Sequence, residues 1–135
     1  MMSIAVSEPI RPKTLRPHRT DTIYVVYKVC DMESWALARR QGVFKGAAVD
    51  LEDGFIHFST ADQLSETLAK HFQGQEGLVL LGVPVMRLGM ALQWEVSRGG
   101  DLFPHLYADL PLSAVVSEQL LELDEDGIHI LPEDI

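Results

Sequence analysis

Leu78 to Val83 (LVLLGV) is continuously apolar over six positions. A half-exposed strand would alternate, and a membrane span needs about 20 apolar residues, so this run reads as an interior strand. Gly74 and Gly77 precede it and end the element before it. Any fold for this chain has to be built around that strand.

The other elements follow from local signals. Ile23 to Cys30 (IYVVYKVC) is rich in β-branched and aromatic residues and predicts a buried strand. Asp31 can cap a short helix with Trp35, Ala36 and Ala38 on its apolar side and Gly42 as its stop. Leu51–Gly54 reads as a turn and Phe55–Ser59 as a second strand. Thr60 and Gln63 make a T-x-x-Q capping box before a helix whose Leu64, Leu68 and Phe72 lie on one stripe. Leu92–Val96 alternates as a strand, and Gly99-Gly100 marks a loop. Phe103–Tyr107 is extended, with Pro104 making it an edge strand or a bulge. Val115–Leu123 and Ile128–Leu131 read as strands joined at Asp124–Gly127. Two early helices followed by several strands predict an α+β fold rather than a regular βαβ alternation.

The 135 residues suit a single domain, and 47% apolar content excludes disorder throughout. Residues 1–20 hold Arg11, Lys13, Arg16 and Arg19 against Glu8, a balance of +3. Residues 21–135 hold seven bases against nineteen acids, or −12. We therefore expect a flexible basic tail over 1–21 and a single acidic domain over 22–135, with an anion-binding arm as the alternative role for the tail. So acidic a domain argues against long nucleic acid and anionic membranes as partners. It leaves room for a small ligand met by local donors.

The lone cysteine, Cys30, cannot make an internal disulfide, and no Cys/His set has zinc-ligand spacing. Glu8, Pro9, Arg11 and Pro12 interrupt any signal-peptide core. These features predict a cytoplasmic protein. Cys30 ends an apolar strand and reads as a small core residue rather than a nucleophile.

Strand parity sorts the polar residues. His57 and Ser59 share a strand face with Phe55, opposite Ile56 and Phe58. Glu95 lies opposite Trp94, and His105 and Tyr107 share a face. The helix that starts after Ser59 offers unpaired N–H groups suited to a phosphate or carboxylate. His57, Glu95, His105 and Tyr107 could supply acid–base chemistry near neutral pH, or could be ordinary surface. Their separations carry no metal-ligand signature, so no metal is expected. The sequence has no Walker loop, no GxSxG, no HExxH and no Rossmann fingerprint.

The elements Tyr27–Val29 (YKV), Trp35 with Gly42, DGFIHFS (Asp53–Ser59), GLVLL (Gly77–Leu81), WEVSRGGDLFPHLY (Trp94–Tyr107) and LPLSAVV (Leu110–Val116) together resemble a bacterial family. It is catalogued as domain of unknown function 952, and the resemblance spans about residues 23–131. It implies an ADP-ribosyltransferase-like fold, a mixed α+β architecture with a split β core around an NAD cleft. Carried over residue by residue, the family's recurring polar positions are Lys28, His57, Ser59, Glu95, His105 and Tyr107. Many members have His where this chain has Lys28, and relatives often have Tyr-Gly-Pro where it has Tyr107-Ala108-Asp109.

The resemblance implies an NAD-utilising transferase or hydrolase of the ADP-ribosyl or phosphoribosyl type. Glu95, His57 and His105 would be catalytic, and Lys28, Ser59 and Tyr107 would bind the nucleotide. NAD would be a substrate, with no tightly bound cofactor. A non-catalytic binding module on the same cleft is the alternative, and a protein-interaction domain is the third reading. Separation of His57 and His105 beyond ~12 Å would weaken both ligand-binding readings.

Overall fold

The computed structural model describes residues 24–135, and the basic tail expected over 1–21 lies outside them. Nine strands and three helices follow in order. They are β1 (Val25–Asp31), α1 (Met32–Gln41), β2 (Val43–Phe44), α2 (Ala48–Asp53), β3 (Ile56–His57), α3 (Leu64–His71), β4 (Leu78–Pro84), β5 (Leu92–Val96), β6 (Leu102–Leu106), β7 (Leu110–Pro111), β8 (Ser117–Leu123) and β9 (His129–Ile130). Every strand pairing among them is antiparallel. The α+β class is as the sequence predicts.

The apolar run of β4 is interior. It pairs with β1 on one side and β8 on the other, in the order β1-β4-β8-β9. All seven of its residues are buried, because both faces are covered. Val79, Leu81 and Val83 join Val26 and Cys30 of β1 beneath Trp35 and Ala38 of α1. Leu78 and Leu80 join Val29 of β1, Leu121 of β8, and Leu64 and Leu68 of α3 on the opposite face. Cys30 is a core residue, 1% exposed, and burial pushes its thiol up to about 12.

A second sheet runs β3-β6-β5. It meets the first where Tyr27 and Ser59 form an isolated bridge, each N–H donating to the other's carbonyl at 2.8 Å. The two sheets therefore join through one residue pair at β1. A short pair, β2 with β7, is hydrogen-bonded to neither, and its Phe44 and Leu110 join the same core.

Helix starts follow their sequence signals. Asp31 caps α1 by accepting from Ser34 N–H at 2.9 Å and from its hydroxyl at 2.7 Å. Those bonds outweigh partial burial and hold its carboxyl below the ordinary range. Gln63 Oε1 accepts from Thr60 N–H at 3.0 Å, the capping-box contact, and its amide donates to Leu102 O. The first turn there is 3-10, and α3 proper begins at Leu64.

Two expectations are corrected. Leu51–Gly54 is not a free turn: residues 48–53 form α2, and Gly54 ends it at φ 88°. Pro104 does not put β6 at an edge, since β6 is the central strand of its sheet. A strand residue turns its N and O to the same side, and Pro104 O accepts from Phe58 N–H at 2.9 Å. Its missing N–H therefore faces Phe58, not β5. Pro104 cannot return that bond, and regular β3 pairing stops at His57 with His105.

Candidate functional site

The face of the β3-β6-β5 sheet turned away from the core carries the site. Ile56, Phe58, Leu92 and Leu106 point into the main core, so alternation sends His57, Glu95 and His105 the other way. His57 and His105 are direct partners across β3 and β6. Their rings lie 5.5 Å apart at 68°, well inside one small ligand's reach. Each histidine sits on its own carboxylate.

His57 Nδ1 is 2.6 Å from Asp50 Oδ1, and its backbone N–H donates to the same oxygen at 3.0 Å. Asp50 is 2% exposed and also accepts from Ala47 N–H at 2.8 Å. Lys28 Nζ reaches both Asp50 oxygens, at 2.9 and 2.8 Å. Burial alone would raise this carboxyl, but the His57 bond and the Lys28 ammonium outweigh it and lower it to about 2. The other nitrogen, His57 Nε2, faces Asp53 Oδ2 at 2.9 Å.

Local chain geometry makes this cage. On β1, Lys28 shares the core-facing side with Val26 and Cys30, and it is 3% exposed. A buried ammonium needs a paired carboxylate, and Asp50 supplies it. Gly54 then reverses the chain so that His57 lies against Asp50 and Asp53 of the preceding helix. Gly46 (φ 123°) packs on Asp50, and a Cβ there would lie 2.7 Å from Asp50 Cβ. Only glycine allows that approach.

His105 is 5% exposed, and its Nδ1 lies 2.7 Å from Glu95 Oε1. Desolvation holds its imidazole below the usual histidine range, against the raising effect of the Glu95 hydrogen bond. Tyr107 Oη–H donates to the same Glu95 oxygen at 2.8 Å, and that bond raises the phenol above 10.0. Phe55 fills the centre of the group. Its ring stacks on His105 at 4.2 Å and lies 4.6 Å from His57 and 5.2 Å from Tyr107.

Of the residues expected at the site, His57, Glu95, His105 and Tyr107 therefore meet on one face. Lys28 reaches it only through Asp50. Ser59 is buried, its backbone paired with Tyr27 and its hydroxyl on Thr67 Oγ1 at 2.9 Å. Asp50, Asp53 and Phe55 were not singled out from the sequence. The parity that selected His57 also selects Phe55, while no sequence pattern marks Asp50.

Among the described residues, no group of three or more His, Cys, Asp or Glu side chains is arranged to hold a metal. None of their helices is long and apolar enough to cross a membrane.

Comparison with known proteins places this geometry in a family. The crystal structure of protein CC0527 from Caulobacter crescentus, a structural-genomics target, is 51% identical, with a TM-score of 0.76. The match covers 78% of this chain and 93% of that one. The solution structure of the same protein is 52% identical, with a TM-score of 0.70, over 77% and 90% of the two chains. No curated protein matches the chain. The family model described as "Protein of unknown function (DUF952)" matches residues 29–118, which include His57, Glu95, His105 and Tyr107, and the chain belongs to that family.

Proposed function

We propose that this face is an acid–base centre acting on a small nucleotide-type ligand, with NAD as a substrate rather than a resident cofactor. The reaction class is cleavage or transfer at a glycosidic carbon, on a fold of the ADP-ribosyltransferase kind. One observation carries the reading: two histidines 5.5 Å apart, each with Nδ1 on a separate carboxylate. A carboxylate at Nδ1 fixes tautomer and ring orientation, and such a positioned acid or base contributes typically 10²–10⁴-fold.

Charge selects the chemistry. Asp50, Asp53 and Glu95 outnumber Lys28 around the histidines. That balance disfavours a phosphate as the reacting centre. It favours a transition state of oxocarbenium character, whose positive charge nearby carboxylates stabilise. Glu95 would then face the ribosyl carbon, and the phosphates of the ligand would lie away from Asp53. Phe55 and Tyr107 offer ring faces for a base or a pyridinium. Lys28 serves by charging and fixing Asp50, and Ser59 by fixing the strand that carries His57. The single buried thiol fits a cytoplasmic setting.

A binding module without turnover is the second reading. The contact of Asp53 with His57 Nε2 favours it, because that contact occupies the nitrogen an acid would use. Calorimetric titration with NAD, followed by chromatography for released nicotinamide, separates the two. Binding with release supports the enzyme, binding without release supports the module, and no heat at millimolar NAD overturns both.

A further inference from the structure

We propose that Gln93 is the residue by which this face takes a pyridine carboxamide and refuses the corresponding carboxylic acid. The assignment rests on reading the face as a site for NAD, and it narrows the substrate class to the amidated nucleotide.

Register puts Gln93 in the site. It pairs directly with His105 across β5 and β6, and His105 pairs with His57 across β6 and β3. The three side chains therefore form one row on the same face of the sheet, about 10 Å long at about 4.8 Å per strand. Glu95 stands one row to one side, opposite Phe103. Tyr107 stands one row to the other, where its N–H donates to Ala91 O at 2.8 Å. The 2.8 Å bond from Tyr107 Oη to Glu95 Oε1 thus crosses the row. Gln93 lies at the outer, β5 end of that row and is exposed.

The amide of Gln93 is oriented. Its Nε2 donates at 2.9 Å to Met90 O, in the turn over Gly89–Ala91 that also holds the Tyr107 backbone. A carbonyl only accepts, so the nitrogen faces Met90 and the oxygen is left over. Gln93 Oε1 has no hydrogen-bond partner among the described residues, and neither has Glu95 Oε2. The open oxygens along β5 are acceptors.

That edge discriminates between two ends a pyridine ring can carry. A carboxamide supplies an N–H to Gln93 Oε1 and a carbonyl to the second proton of Nε2. A carboxylate has no donor, sets its lone pairs against Oε1 and adds a negative charge beside Glu95. A site that hydrogen-bonds one group rejects the analogue that leaves its polar atoms unpaired. Tyr107 and Gln93 are mounted on the same turn, so a pyridinium lying on the tyrosine ring has its substituent within reach of the amide. No reacting bond passes through Gln93, whose part is specificity.

Calorimetric titration of the full chain with NAD, nicotinic acid adenine dinucleotide and ADP-ribose tests this, on the wild type and on Gln93→Met and Gln93→Ala. The position is exposed, and Gln93→Met keeps the length of the side chain without its amide. The wild type is expected to bind NAD more tightly than the acid by about tenfold or more. In both variants NAD is expected to bind about fivefold more weakly, while the acid and ADP-ribose, which has no pyridine, bind as before. Unchanged NAD binding in the variants, a wild type that binds NAD and the acid alike, or equal weakening toward all three ligands overturns the assignment. Those results leave NAD on this protein, whereas a wild type to which NAD does not bind overturns the reading of the face along with it.

Discussion

His57 and His105 stand directly opposite each other in the β3–β6 ladder, with Phe55 stacked over one and tilted over the other. Pro104 ends that ladder one residue further on. The pair is thus held by backbone register, not by loop conformation. A centre fixed in this way responds to substitution in ways that separate its structural from its chemical parts.

The buried pair beneath the site should dominate stability. Asp50→Asn leaves the Lys28 ammonium buried without its carboxylate, and we expect a loss of about 3–5 kcal/mol in urea unfolding. Lys28→Met/Asp50→Leu, which removes both charges, should recover part of that loss. A cost for Asp50→Asn under about 1 kcal/mol would show that the cage is not held by this contact.

Acid should weaken the fold through the same residue. The Asp50 carboxyl is lowered from 3.8 to about 2 in the folded chain. A depressed carboxyl contributes stability above its unfolded value and loses it as pH falls through the folded value. The shift corresponds to about 2 kcal/mol, present above about pH 4 and fading toward pH 2. Unfolding free energies measured down that range should converge for the wild type and Asp50→Asn. Parallel curves would contradict the assignment.

Glu95 couples two titrating groups on one oxygen. Glu95→Gln should bring the Tyr107 phenol down toward 10.0, because the raising carboxylate is gone. The same change should push His105 still further below the usual range, because Glu95 opposes its desolvation. Ultraviolet titration of tyrosine and NMR titration of histidine read the two shifts, whose common direction is downward.

Phe55 links the rings. Phe55→Ala removes three aromatic contacts, and each such pair contributes about 0.5–1.5 kcal/mol beyond its buried area. We expect a measurable fall in Tm and NAD binding weaker by about tenfold. Unchanged affinity would place the ligand elsewhere.

Alternation made much of this legible in the sequence. It put Ile56 and Phe58 inward and His57 outward, and it grouped His105 with Tyr107. What it could not supply was Asp50. In α2 the acidic residue is 2% exposed while its apolar neighbours Val49 and Leu51 are 49% and 65% exposed. The helix thus buries its charge and exposes its aliphatics, because Lys28 waits in the core, and a hydrophobic pattern points the wrong way. Pro104 misled for a related reason. Its rule concerns a lost N–H, and only the three-dimensional register shows which neighbour loses the bond. The β2–β7 pair, two residues a strand, is too short for any period.

The most direct measurement is NMR mapping of NAD onto the full chain, through backbone and ring-proton shifts. Saturable changes are expected at Phe55, His57, Glu95, His105 and Tyr107, with lesser ones at Asp53. Saturable changes clustered on any other face, or none at millimolar NAD, would contradict it.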